Sequence, residues 1–127
     1  PIIAERSERG VVPHDRAVRI MQEAAEQCGR GDVPELGDAV TLKDMVGELH
    51  STCLIACDME GGPLEDVPHL KASGVIYICI GPEGGWSAEE RTLLQTHNAA
   101  FVTLGHTVLR AETAAVAACI LAQHEVE

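Results

Sequence analysis

Val75–Glu90 reads VIYICIGPEGGWSAEE, and this stretch decides the fold. Val75 to Ile80 are six apolar residues, mostly β-branched. They predict a strand buried on both faces. The run stops at Gly81-Pro82-Glu83-Gly84-Gly85. Three glycines in these five residues allow left-handed turns and close approach of backbone to a ligand. Pro82 removes one amide donor and stiffens the turn. Ser87 stands three residues before Glu90, the capping-box spacing for a helix start. The unit is strand, glycine-rich turn, helix. In an open α/β sheet such a turn lies at the carboxyl end of a strand, where ligands usually bind. The same spacing also suits a tight strand-to-helix connection that binds nothing.

Outward from this unit, strands and helices alternate. Ser51 to Cys57 (STCLIAC) reads as a second apolar strand that ends at Asp58. Ala100 to Leu104 reads as another, ending at Gly105. The helix after Ser87 is expected over Ala88–Thr96, with Leu93 and Leu94 on its apolar side. Nearer the start, Pro1 to Ala4 is a short apolar segment, followed by Glu5-Arg6-Ser7-Glu8-Arg9. Pro13 to Asp15 lead a helix with Ala17, Met21, Ala24 and Cys28 on one face, and Gly29 suits its C-terminal cap. Thr41 to Leu49 reads as a short helix. Glu112 to Gln123 is helical and apolar on nearly every side, so it is buried or packs against a partner subunit. Arg30-Gly31-Asp32 spells an adhesion tripeptide, read here as chance. The alternation predicts an α/β fold with a mainly parallel sheet. If the strands are neighbours, the turns at Asp58, Gly81 and Gly105 converge on one rim and line a pocket.

A chain of 127 residues suits one domain with a real core. Apolar residues make up 46% but aromatics only 2%, so that core must be aliphatic. No apolar stretch is long enough for a membrane span. The five cysteines include no C-x-x-C pair and sit in apolar runs, which predicts buried, reduced thiols of a cytoplasmic protein. The six histidines are scattered, without metal-ligand spacing, so no metal is expected. Basic residues number 9 against 20 acidic ones, for a net charge of −11. That argues against strong nucleic-acid binding by this chain alone, because phosphate contacts need Lys and Arg.

The candidate pocket lacks the G-x-G-x-x-G and G-x-x-x-x-G-K-[ST] patterns of dinucleotide and phosphate sites. Its central turn carries an acid, Glu83, and no Lys, which disfavours phosphate and suits a neutral or cationic ligand. Arg110 and Glu112 lie close together at the start of the last helix. Arg110 could hold a phosphate of a large substrate, or the two could form an ordinary ion pair. Glu112 near a helix N-terminus is favourable in either case. No Ser–His–Asp arrangement or catalytic cysteine follows from spacing.

Two long motifs carry a resemblance. Ile80-Gly81-Pro82-Glu83-Gly84-Gly85-Trp86-Ser87-x-x-Glu90, followed by Leu104-Gly105-x-x-Val108-Leu109-Arg110-x-Glu112-Thr113-Ala114, resembles the paired signature of the RsmE family. Upstream, Glu5-Arg6-Ser7, Glu23 to Arg30 and Val33-Pro34 resemble the same family's pattern. These are small-subunit ribosomal RNA methyltransferases of the SPOUT class, acting on N3 of a uridine in 16S rRNA. The resemblance implies a SPOUT-type parallel sheet flanked by helices, with a deep trefoil knot near the C-terminus, a rare exception to unknotted topology. It implies S-adenosylmethionine bent between three turns, Ala56–Asp58, Ile80–Gly85 and Leu104–Arg110. The residues it assigns to that cofactor are Ala56, Asp58, Ile80, Gly81, Glu83, Gly84, Gly85, Leu104, Gly105, Val108 and Leu109. It makes Arg110 the residue expected to stabilise a uridine anion or grip the target phosphate, with Glu83 and Glu112 as base or orienting groups.

The resemblance further implies a homodimer, and 16S rRNA or the small ribosomal subunit as the partner of the full-length protein. Family members carry an N-terminal PUA-like RNA-binding domain, so residues 1–127 are expected to be a SPOUT methyltransferase domain incomplete at its N-terminus. One departure stands out: Thr107 replaces the usual Arg of the family. It motivates a rival reading, a non-catalytic knotted dimerisation or ligand-binding module.

Overall fold

The computed structural model describes residues 1–7, 13–49 and 53–127. In chain order the elements are β1 (Ile2–Ile3), α1 (His14–Cys28), β2 (Val40–Thr41), α2 (Leu42–Glu48), β3 (Cys53–Gly62), β4 (Ile76–Ile80), α3 (Ala88–Thr96), β5 (Ala100–Val102) and α4 (Ala111–Val126). Glu8, Arg9, Ser51 and Thr52 of the expected segments lie outside the described residues. β1 and β2 pair in parallel, and β3, β4 and β5 form a parallel sheet in the order β4-β3-β5. The α/β class with parallel strands is therefore as the alternation predicts.

β3 is the strand buried on both faces. Cys53, Leu54, Ile55 and Ala56 are all buried. Side chains alternate across the sheet. Leu54 and Ala56 pack with Ala4, Leu42, Val46, Cys79, Trp86 and Leu94 on one face. Cys53 and Ile55 pack with Leu70 and Val102 on the other. The sequence predicts that role for β4, but within it Cys79 alone is buried and the rest are half-buried. The reason is position: β4 has β3 on one side and lies at the sheet edge. β3 also runs beyond its expected end at Asp58. Cys57 and Gly62 both pair with Val102, so residues 58–61 bulge out of register.

The helices follow local chemistry. Thr41 caps α2, its Oγ1 accepting from the Asp44 amide at 3.1 Å. Leu42 and Val46, one turn apart, enter the core. Gly29 ends α1 with φ 73°, a left-handed conformation that costs glycine little. The inner face of α1 differs from the expected one: Ala17, Val18 and Met21 are half-buried and Ala25 is buried, whereas Ala24 and Cys28 are exposed. From Met21 the packed stripe steps by four residues to Ala25, not by three to Ala24. Cys119 is exposed too, so Cys28 and Cys119 depart from the expectation of buried thiols. Each lies on a helix side turned to solvent. Arg30 and Asp32 of the adhesion-like tripeptide pair with each other at 2.9 Å, raising the Arg30 pKa and lowering that of Asp32.

α3 opens with the expected capping box. Ser87 Oγ accepts from the Glu90 amide at 3.3 Å, and Glu90 Oε2 accepts from the Ser87 amide at 2.9 Å. The other oxygen, Oε1, accepts from the Glu5 amide at 2.8 Å. Glu5-Arg6-Ser7 is thereby fastened to the glycine-rich unit. α4 buries one stripe, Ala114, Ala118 and Ala122, and exposes Val116, Ile120 and Leu121.

Candidate functional site

The register places the site. Cys57 lies beside Ile80 on one flank and Val102 on the other, so three parallel strands reach the same edge together. The segments that leave them gather there. They enclose a cleft of about 180 Å³ lined by Cys57, Asp58, Met59, Ile80, Gly81, Pro82, Glu83, Gly85, Leu104, Thr107, Val108, Leu109, Ala111 and Ala114. The convergence expected from the three turns is present. Of the expected site residues, Asp58, Ile80, Gly81, Glu83, Gly85, Leu104, Val108 and Leu109 line this cleft.

The others lie around it. Ala56 has no exposed surface and sits in the core directly behind Cys57. Gly84 faces away, and its carbonyl accepts from Arg6 Nη1 at 2.7 Å. Gly105, with φ 137°, shapes the third loop, where its amide and carbonyl both bond to Thr103 Oγ1. Arg110 is the exposed N-cap residue of α4, and Glu112 is exposed in its first turn. They do not form the ion pair that their spacing allowed; among the described residues the ion pairs lie elsewhere. Arg110 nevertheless stands between two cleft residues, Leu109 and Ala111.

Single-residue reasoning left out Cys57, Met59, Pro82, Thr107, Ala111 and Ala114. Cys57, Pro82 and Thr107 fall within the three expected turns. Met59 enters through the bulge of β3, which no spacing announces. Ala111 and Ala114 enter because α4 starts at the rim.

Trp86 braces the cleft from beneath. It is buried, and its Nε1 donates to the Cys57 carbonyl at 3.1 Å, tying the end of β3 to the glycine turn. A Cβ at Gly81 would stand 3.0 Å from the Trp86 ring, so glycine is what lets the turn pass over the indole. At Gly61 a Cβ would fall 2.5 Å from the Val102 backbone, so the bulge also depends on a missing side chain. Burial, with Cys119 nearby, raises the Cys57 thiol pKa to about 11. Burial likewise raises Cys79, the partner of Ala56 in the β3–β4 register, to about 11. Both thiols stay protonated and weakly nucleophilic near neutral pH.

Chemically, the cleft wall is apolar, with peptide groups from the glycine turn and two carboxylic residues, Asp58 and Glu83. No Lys or Arg is among its lining residues. The sequence pattern of the RNA methyltransferase domain family matches residues 1–123. The chain belongs to that family. It is 31% identical over 121 residues to ribosomal RNA small subunit methyltransferase E of Rickettsia conorii, covering 93% of this chain and 50% of that protein. Among solved structures, a Legionella pneumophila methyltransferase with bound SAM superposes with TM-score 0.85 at 33% identity, over 98% of this chain and 53% of that one. Ribosomal RNA small subunit methyltransferase E of Neisseria gonorrhoeae, bound to S-adenosyl methionine, gives TM-score 0.82 at 31% identity, over 98% and 53%. This RNA methyltransferase domain thus spans about half the length of the proteins it matches.

Proposed function

We propose that this RNA methyltransferase domain uses S-adenosylmethionine to methylate N3 of a uridine in 16S rRNA as part of a longer protein. The observation that carries the reading is the cleft itself: three parallel strand ends meet around an apolar pocket lined by carboxylates and no cation. Those residues fit the cofactor. Adenine suits apolar walls and peptide hydrogen bonds, and a sulfonium suits a site without Lys or Arg. When bound, S-adenosylmethionine supplies a methyl group on positively charged sulfur. The chain supplies position and electrostatics. Glu83 gives the cleft its negative charge, and Asp58 adds a carboxylate that is paired with Arg91 from outside the lining. Arg110, exposed beside the cleft and without a side-chain partner among the described residues, stabilises the uridine anion or holds a target phosphate. Glu83 and Glu112 serve as base or orienting groups for the uridine proton.

A homodimer belongs to the same proposal. A cleft of about 180 Å³ is small beside ligand pockets of about 300–1,000 Å³. α4 supplies Ala111 and Ala114 to its wall while exposing Val116, Ile120 and Leu121 alongside. A second copy on that face would cover those side chains and deepen the cleft. The trefoil knot and a cytoplasmic location complete the reading. With a net charge of −11, RNA contacts fall mainly to parts of the full-length protein beyond these residues.

The test is to incubate the full-length protein with labelled S-adenosylmethionine and small-subunit rRNA and to map the methyl group. Methylation at a uridine N3 is expected. Arg110→Ala should lower turnover about a hundredfold while leaving cofactor affinity nearly unchanged. Thr107 in the cleft favours the rival reading, a module that binds ligand without chemistry. Cofactor binding by calorimetry with no methyl transferred would establish that rival instead.

A further inference from the structure

The geometry points to Arg91 as a positioning residue for the cleft: it clamps the β3 bulge so that the Asp58 carboxylate is held ready for a hydrogen-bond donor of the bound cofactor. This rests on the proposed cofactor reading. Arg91 lies on α3, outside the cleft lining. Its Nη1 donates to Asp58 Oδ2 at 3.0 Å and its Nη2 to Asp58 Oδ1 at 3.2 Å. Nη2 also donates to Glu60 Oε2 at 2.7 Å. The guanidinium lies 5.0 Å from the centre of the Phe101 ring on β5, a cation–π distance. One side chain therefore ties α3 to both acids of the bulge while resting on the neighbouring strand.

The bulge needs such a tie. Residues 58–61 leave the β3–β5 ladder, because Cys57 and Gly62 share one partner, Val102. Ladder hydrogen bonds therefore do not fix the stretch that carries Asp58 and Met59 into the cleft wall. The Asp58 side chain is 12% exposed and that of Arg91 28%, so this two-pronged contact is better shielded from water than a surface ion pair. Asp58 Oδ1 also accepts from the Glu60 amide at 2.9 Å. The carboxylate is thus fixed in rotation, yet its residue lines the cleft. A carboxylate has about four lone-pair sites, and these three contacts leave acceptor capacity. The partner chemistry is an N–H or O–H donor: a ribose hydroxyl or the ammonium group of the cofactor.

Calorimetry on the full chain tests this with three ligands: S-adenosylmethionine, S-adenosylhomocysteine and methylthioadenosine, which lacks the amino-acid end. Arg91→Met is expected to weaken S-adenosylmethionine about tenfold, and Asp58→Ala by a similar factor. In the double variant the loss should stay near tenfold, because Arg91 acts through Asp58. Arg91→Lys keeps the charge without the fork and should fall in between. It also serves if Arg91→Met does not fold, which a thermal melt checks. Equal weakening of all three ligands assigns the ribose; sparing of methylthioadenosine alone assigns the ammonium. Arg91→Met and Arg91→Lys binding like the parent, or losses that multiply in the double variant, overturn the inference alone. A parent protein that binds none of the three at millimolar concentration overturns the cofactor reading with it.

Discussion

The two walls of the cleft are built on opposite plans. On the side of the glycine turn, polar groups are tied to one another. Glu90 accepts from two backbone amides, Trp86 donates to Cys57, Arg6 to Gly84, and Arg91 to Asp58 and Glu60. On the side of α4, Val108, Val116, Ile120 and Leu121 are exposed, at 70%, 61%, 61% and 41%. Arg110 stands there without a side-chain partner among the described residues. The first wall is completed by the chain itself. The second presents apolar area and an exposed cation, which is the chemistry of a surface that meets other molecules.

The largest expected effect lies on the tied wall. Glu90 is buried and serves the amides of Glu5 and Ser87 at once. Glu90→Ala leaves both donors without their acceptor. The Ser87 amide is buried and the Glu5 amide part-buried; a buried, unmet group costs about 1–3 kcal/mol, so a loss of about 2 kcal/mol is expected in urea unfolding. Glu89→Ala, one residue away and exposed, should change stability by less than about 0.5 kcal/mol. If the two variants unfold alike, the contrast between the walls is wrong.

That contrast was only partly legible in the sequence. The capping box at Ser87 and Glu90 was plain, because its spacing is local and its chemistry specific. That Glu90 also reaches Glu5 was not, since a contact across 85 positions leaves no periodic trace. The convergence of the three strand ends followed from the alternation of strand and helix. Which strand is central did not: VIYICI and CLIA are equally apolar, and sheet order rests on long-range pairing. The bulge at 58–61 was hidden for the same reason. Asp58-Met59-Glu60-Gly61-Gly62 has the composition of a turn, and only the close approach of Gly61 to Val102 shows why the strand continues. Arg91 carried no signal, because one Arg on a helix reads as solvated surface.

A smaller effect is expected where the walls meet, at Cys57, and at its neighbour Cys79. Burial raises both thiols from 9.0 to about 11. Between those values the unfolded chain has released these protons while the folded chain retains them, so stability must fall as pH rises. The contribution is complete below about pH 9 and lost toward pH 11. Urea midpoints measured from pH 8 to 11 should decline, and the decline should be shallower in a Cys57→Ala, Cys79→Ala double variant. An unchanged slope in that variant would mean that water reaches these thiols in solution and that the junction of the walls is open.

The smallest change in chain stability should come from the α4 wall, and there it carries the most information. Ile120 is 61% exposed, so Ile120→Ser removes little packing within one chain and should alter its unfolding free energy by about 0.5 kcal/mol or less. If a second copy covers this face, as proposed, the same substitution removes an apolar side chain whose burial contributes about 1.5–3 kcal/mol. A symmetric interface counts that loss twice, which weakens association by two orders of magnitude or more. Sedimentation of the full chain over a concentration series reads this directly: the variant should dissociate where the parent stays paired, while both melt alike when dilute. A parent that remains single at high concentration would leave the α4 face to a different partner. The tied wall would then be the one whose construction the chain alone explains.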